Sequence, residues 1–248
     1  MTPYYQDDHV TIYHGEALAV LASIPTASVD HIVTDPPYSS GGMMRGDRTA
    51  STKTKYAGSY GSVSEHDEFS GDNRDQRSHE YRMALWLNEC RRIVKPGAIC
   101  AMFTDWRQLP TATDAIQAGG WVWRGISTWG KPSSRPVPNR FAASCEFVVW
   151  GTNGPRDMSD AKNATYADGV FMQSPPQNRV HTTQKPVEVM RWVLSFAKPG
   201  DVVLDPFMGS GSTIEAAKQL GCKAIGIELA EQWCAHAVTR SGQEVLAF

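Results

Sequence analysis

The chain has little of what marks metal, redox or secreted proteins. Its five cysteines, Cys90, Cys100, Cys145, Cys222 and Cys234, form no CxxC pair and no metal-ligand spacing. That excludes a zinc ribbon and a disulfide framework, and no metal site is expected. Several cysteines sit in apolar runs such as Ala98-Ile99-Cys100-Ala101-Met102-Phe103, where a buried reduced thiol is the reading. No apolar stretch approaches the roughly 20 residues that span a bilayer. The opening residues, Met1 to Asp8, hold no cationic stretch followed by an apolar one, so no secretory leader is expected and the expected location is cytoplasmic. Positive charge is not in excess either. There are 24 Lys and Arg against 26 Asp and Glu, a net charge of −2. Phosphate contacts would have to come from a local stripe, and one candidate holds Arg124, Lys131, Arg135 and Arg140 with no acid between them.

What is present is ordinary globular composition, 41% hydrophobic and 20% charged, in a length that suits one large α/β domain over residues 1–248. No repeat is visible. Short β-rich runs at 10–14, 31–34, 98–103, 124–129, 146–150, 202–205 and 224–228 alternate with helical patterns near 17–24, 79–94, 107–118, 187–197, 213–220 and 231–240. That alternation predicts a mainly parallel sheet flanked by helices. Two polar stretches, 39–77 and 152–180, lack such periodicity. Long unpatterned segments in a compact domain are usually functional, so both are read as substrate-facing insertions.

Two turns carry chemistry. Thr34-Asp35-Pro36-Pro37-Tyr38 follows the apolar Ile32-Val33. Two prolines make a stiff turn, and stiffness suits a station that must align a reacting group. A carboxylate (Asp35) and a backbone carbonyl (Pro36) can accept the two N–H groups of an exocyclic amine and draw its lone pair toward an electrophile. Pro37 fixes the direction, and Tyr38 offers a face to a base turned out of a duplex. The second turn, Asp205-Pro206-Phe207-Met208-Gly209-Ser210-Gly211-Ser212-Thr213, joins a strand to a helix. Its glycines allow close backbone approach to a ligand. Glu228 ends the next strand, where a carboxylate can take ribose hydroxyls.

Together these segments resemble the amino-directed DNA methyltransferases of β-type motif order, which carry a DPPY motif early and an FxGxG motif late. Glu89-Cys90-Arg91-Arg92-Ile93-Val94-Lys95-Pro96-Gly97-Ala98, the run Trp129-Gly130-Lys131-Pro132 continuing to Glu146, and His181-Thr182-Thr183-Gln184-Lys185-Pro186 are similar to further segments of that family. Tyr13-His14-Gly15-Glu16 resembles the strand whose acid contacts the cofactor's adenine ring, with Glu where Asp is usual. The resemblance implies a Rossmann-like seven-stranded mixed sheet and S-adenosylmethionine as cofactor. It also implies double-stranded DNA as partner, no membrane, and a homodimer and a cognate restriction endonuclease as further candidates.

On that reading Asp35, Pro36, Pro37 and Tyr38 are catalytic. Glu16, Asp35, Thr183, Lys185, Pro186, Asp205, Pro206, Phe207, Gly209, Ser210, Gly211, Ser212, Thr213 and Glu228 form the cofactor site. Arg45, Arg48, Lys53, Lys55, Lys131, Arg135 and Arg140 are candidates for DNA contact. The Asp at position 35 favours adenine over cytosine by a family tendency, with cytosine-N4 as the alternative. Two readings from other classes compete. A catalytically silent DNA-binding module would not need Asp35 and Tyr38, and a nicotinamide dehydrogenase would want a third glycine where Ile214 stands. Of the eight tryptophans, Trp129 beside Lys131 is the one set apart from simple packing.

Overall fold

The computed structural model describes residues 1–39, 74–133, 138–139, 141–156, 164–176 and 184–242. Among these, the strands are β1 (Tyr5–Gln6), β2 (Val10–His14), β3 (Val29–Thr34), β4 (Val94–Thr104), β5 (Val122–Gly130), β6 (Cys145–Thr152), β7 (Val170–Met172), β8 (Val202–Asp205) and β9 (Lys223–Glu228). The helices are α1 (Ala17–Leu21), α2 (Gln76–Ile93), α3 (Leu109–Ala118), α4 (Val187–Val193), α5 (Ser212–Gln219) and α6 (Glu231–Ser241). The strands form one sheet in the order β1-β2-β9-β8-β3-β4-β6-β5-β7.

All seven expected strands are there. The sheet has nine because β1 and β7 extend its two edges. Strands of two and three residues are too short to show a period-2 pattern, and β7 lies within the stretch 152–180 that looks unpatterned. It is held by its neighbour: Thr128 N–H donates to Gly169 O and Gln173 N–H to Gly130 O. Phe171 stacks on Trp192 of α4, ring centroids 5.5 Å apart.

Both faces of the sheet are covered. Along β4, Cys100 and Met102 join one buried cluster, while Ile99, Ala101 and Phe103 join the other. That is the alternation of a strand packed on two sides, and it explains why its sequence is continuously apolar. Helix α2 ends with Arg91 and Arg92 in its last turn, cations placed on the negative end of the helix dipole. Arg92 also reaches the carbonyls of Leu21 and Ile24 at 2.9 and 3.1 Å, which satisfies the end of α1.

The topology places the two chemical turns together. β3 pairs in parallel with both β4 and β8, and β8 with β9. The chain leaves β3 toward β4 but leaves β8 toward β9, so connections diverge on either side of the β3–β8 pair. A crevice opens at the carboxyl ends of strands at such a switch point. Asp205 fastens it. Thr34 Oγ1 and Phe207 N–H donate to Asp205 Oδ1 at 2.6 and 3.0 Å, and Thr213 Oγ1 donates to Oδ2 at 2.6 Å. One fully buried carboxylate thus ties the residue before Asp35 to both sides of the glycine turn.

Burial pushes Asp205 up to about 6 from an ordinary 3.8, against the three hydrogen bonds that favour its ionised form. The folded state therefore holds this proton after the unfolded chain has lost it, and the contribution of Asp205 to stability falls as pH rises from 3.8 to about 6. Asp205→Ala leaves three donors unmet and is expected to cost about 2 kcal/mol in urea unfolding at neutral pH. Asp205→Asn is expected to flatten the pH dependence of stability between pH 4 and 6 seen on titrating the wild type.

Candidate active site

Asp35 and Tyr38 leave the end of β3, Glu146 sits at the start of β6, Lys131 follows β5, and Lys185 precedes α4. The fold gathers all five. Tyr38 Oη lies between two carboxylate oxygens, 2.5 Å from Asp35 Oδ1 and 3.0 Å from Glu146 Oε2, which share its one proton. Lys185 Nζ donates to Asp35 Oδ2 at 2.5 Å and lies 3.1 Å from Glu146 Oε2. Lys131 Nζ donates to Glu146 Oε1. The ammonium of Lys185 also faces the rings of Tyr38 and Phe103, 5.4 and 5.3 Å from their centroids, a cation–π setting.

Two carboxylates and two ammonium groups make this cluster neutral. Burial disfavours charge on Glu146, but Lys185 and Lys131 outweigh it and hold the carboxyl at about 2. Burial works against charge on Lys185 too, and Asp35 and Glu146 more than offset it, so its pKa is raised. Burial and the two carboxylates lift the Tyr38 hydroxyl well above its ordinary value, so it serves as a donor. Asp35 is raised by burial, with Lys185 opposing. Its two bonds leave lone pairs on both oxygens for a further donor.

Beside this cluster lies the glycine turn. Gly211 initiates α5 at φ +81°, and Gly209 has φ +49° with nothing within 4 Å of where a Cβ would stand. At Gly209 the turn presents bare backbone to open space, whereas Gly211 packs close to Ala237 of α6. Gly209 N–H and Ala230 N–H donate to the two oxygens of Glu228 at 3.0 and 2.8 Å. These bonds aim the carboxylate and leave it acceptor capacity, while burial raises its pKa. Phe207 packs edge-on against Trp86, ring centroids 5.3 Å apart. Ser212 Oγ donates to Lys185 O at 2.8 Å, joining the Lys185 turn to the glycine turn.

One cavity of about 560 Å³ reaches all of these, lined by the Asp35–Tyr38 turn, Lys131, Glu146, Lys185, the glycine turn and Glu228. That is the size of a small-molecule site. An aromatic ring, bare glycine backbone, a helix start and an acceptor carboxylate form a donor set that fits an adenosyl amino acid. The carboxylates of the neighbouring cluster fit a positively charged sulfur.

Most expected site residues therefore converge. Glu16 also lines the cavity. Its Oε2 accepts the Ala19 N–H as N-cap of α1, and its Oε1 pairs with Arg82 of α2 at 3.2 Å. Asp205 stands in the wall as the clamp described above. Lys131, expected at DNA, points into the cavity toward Glu146. Thr183, Arg45, Arg48, Lys53, Lys55, Arg135 and Arg140 lie outside the described residues. Among the described residues no group of side chains could hold a metal ion, and no helix is long and apolar enough to cross a membrane.

Sequence reasoning gave Glu146 and Arg82 no role. Each is defined by partners distant in the chain, so no local spacing points to it. It also singled out Trp129. That indole is 2% exposed, donates to Gln173 O at 2.8 Å, and carries Lys131 over its ring at 4.8 Å.

The DNA methylase family model, which covers amino-directed enzymes, matches residues 29–239. The chain belongs to this family, whose methyl donor is S-adenosylmethionine. Among relatives, it is 27% identical over 252 residues to the Type II methyltransferase M2.LlaDCHI of Lactococcus lactis subsp. cremoris, covering 93% of this chain and 88% of that protein. It is 30% identical over 243 residues to the putative methylase YubD of Escherichia coli (strain K12), covering 94% and 88%. Two solved structures share the fold. The M1.HpyAVI–SAM complex gives a TM-score of 0.67 at 24% identity, over 94% of this chain and all of that one. The cytosine-N4-specific PvuII DNA methyltransferase gives 0.73 at 16%, over 99% and 90%.

Removing one member of a buried ion cluster strands the others, and Glu146→Ala is expected to destabilise the fold by about 3 kcal/mol. In the wild type, Glu146 contributes stability above its ordinary 4.5 that is lost as pH falls toward about 2. Urea unfolding as a function of pH checks both. A double-mutant cycle of Glu146→Gln with Lys131→Met should return a coupling of about 1 kcal/mol or more.

Proposed function

We propose that this chain methylates the exocyclic N6 amine of adenine within a short sequence of double-stranded DNA, acting on a base turned out of the helix. The observation that carries the reading is the convergence of Asp35, held by Tyr38 and Lys185, with the glycine turn and Glu228 in one cavity. In that cavity S-adenosylmethionine supplies a methyl group on a positively charged sulfur.

This chain's residues do the rest. Asp35 accepts one N–H of the amine and the Pro36 carbonyl accepts the other, which draws the nitrogen lone pair out of the ring and toward the methyl carbon. The new N–C bond forms as the C–S bond breaks. The amine gives up one proton, with the Asp35 carboxylate as its nearest acceptor. Asp35 does not attack carbon, and no cysteine nucleophile is needed. Tyr38 lends its face to the turned-out base. Asp at position 35, where the cytosine-amino branch more often has Ser, supports adenine. We assign phosphate contacts to Arg45, Arg48, Lys53, Lys55, Arg135 and Arg140.

Wild type and Asp35→Ala are to be expressed in a methylation-free bacterium, and the modified bases of the plasmid read by mass spectrometry and single-molecule sequencing. N6-methyladenine at one short motif is expected with the wild type and a loss of at least about a hundredfold in the variant. N4-methylcytosine instead would keep the mechanism and overturn the choice of base. Unmodified DNA from a wild type that binds S-adenosylmethionine would overturn the reading.

A further inference from the structure

Three tryptophans on the cavity wall, Trp106, Trp129 and Trp233, have no part in the chemistry above, and of these Trp106 is the exposed one. Trp106 is 54% exposed, whereas Trp86, Trp121 and Trp129 are each 4% exposed or less. Leaving an indole in water forgoes a large apolar gain. Its position is set by the sheet. β3 and β4 run parallel with Thr34 opposite Met102. Tyr38 and Trp106 each stand four residues past that pair, on adjacent strand ends, and both line the cavity.

The next residue adds a cation. The Arg107 guanidinium lies 5.2 Å from the Trp106 ring centroid and 3.0 Å from Asp105 Oδ2. Asp105 Oδ1 in turn accepts the backbone N–H groups of Arg107 and Gln108 at 2.9 and 3.1 Å. The turn is thereby fixed, with the Arg107 guanidinium over one face of the indole and paired with Asp105, which leaves the other face to a ligand. An exposed aromatic face beside a cation is the chemistry that takes a nucleobase together with its phosphate.

We propose that Trp106 and Arg107 form an outer platform at the mouth of the active-site cavity. There Trp106 stacks a nucleobase of the DNA strand entering the site and Arg107 meets an adjoining phosphate. The platform rests on the DNA-methylation reading for its substrate, not for its geometry. The adenosine of the cofactor is the other source of a base. Phe207, in the glycine turn next to Glu228, already supplies an aromatic ring on that side, which leaves Trp106 to the DNA.

The test compares wild type, Trp106→Ala, Trp106→Phe and Arg107→Ala. Plasmid DNA is the methyl acceptor, and binding is measured to a short mixed-sequence single-stranded oligonucleotide and to an abasic one of equal length. Trp106→Ala is expected to raise KM for DNA and Kd for the base-bearing oligonucleotide about tenfold. Its affinity for the abasic one and for S-adenosylmethionine should stay unchanged, and Trp106→Phe should recover most of the loss. Arg107→Ala should weaken both oligonucleotides. Thermal melting shows that each variant is folded.

A Trp106→Ala protein equal to the wild type on both oligonucleotides overturns the platform. So does a loss confined to S-adenosylmethionine, which would give the indole to the cofactor. A wild type that methylates no DNA yet shows the oligonucleotide differences would sink the methylation reading and keep the platform.

Discussion

One buried carboxylate joins the two turns that line the cavity. Asp205 is buried, and it accepts from Thr34 on one strand and from Phe207 and Thr213 on the glycine turn. Thr34 and Asp205 are 171 residues apart. The two turns are therefore joined by a bond between their own strands, and the distance between Asp35 and the glycine turn is set by the sheet and this clamp. Burying the carboxylate is costly, as its raised pKa shows. A weaker acceptor would leave two hydroxyls and an amide without a partner at the place where a small misalignment loses rate.

The neighbouring cluster follows a different economy. Asp35 cannot be left as a lone buried anion, because a buried charge must be paired. Lys185 pairs it, but Lys185 alone would neutralise a carboxylate that the proposed reaction uses to attract an amine. Glu146 shares that ammonium, and Lys131 then balances Glu146. Asp35 keeps its ionic partner without having the sole claim on it. Tyr38 bridges the two carboxylates and is fixed at its hydroxyl end, so the ring is oriented without being enclosed.

Much of this was legible beforehand. The seven principal strands and six helices announce themselves by periodicity, and the two chemical turns by residues with few other uses in combination: paired prolines after an acid, and alternating glycines after a strand. Their meeting at the β3–β8 switch point follows from the requirement that they serve one reaction. What could not be read locally is what depends on partners brought by the fold. Glu146 looks like any acid at a strand start until Lys131, Lys185 and Tyr38 surround it. Glu16, read as a ligand contact, lines the cavity, and its partners Ala19 and Arg82 appear only in the fold. Trp129 does carry Lys131 over its ring on the cavity wall, while being itself buried. The exposure of Trp106, past the end of β4, has no sign in its local sequence.

Just after the catalytic turn, Ser39 Oγ donates to the Arg74 carbonyl at 2.9 Å and accepts the Arg74 N–H at 2.7 Å. This reciprocal pair closes the chain on itself at the point where the stretch 40–73 departs and returns. Closure cost grows only with the logarithm of the length enclosed, about 0.6 kcal/mol per doubling. Segments of very different length and composition can therefore be exchanged behind the Ser39–Arg74 latch while Asp35 and Tyr38 stay where they are. The turn that holds Asp35 and the segment behind the latch are separable inheritances, and one can change in length without the other being rebuilt.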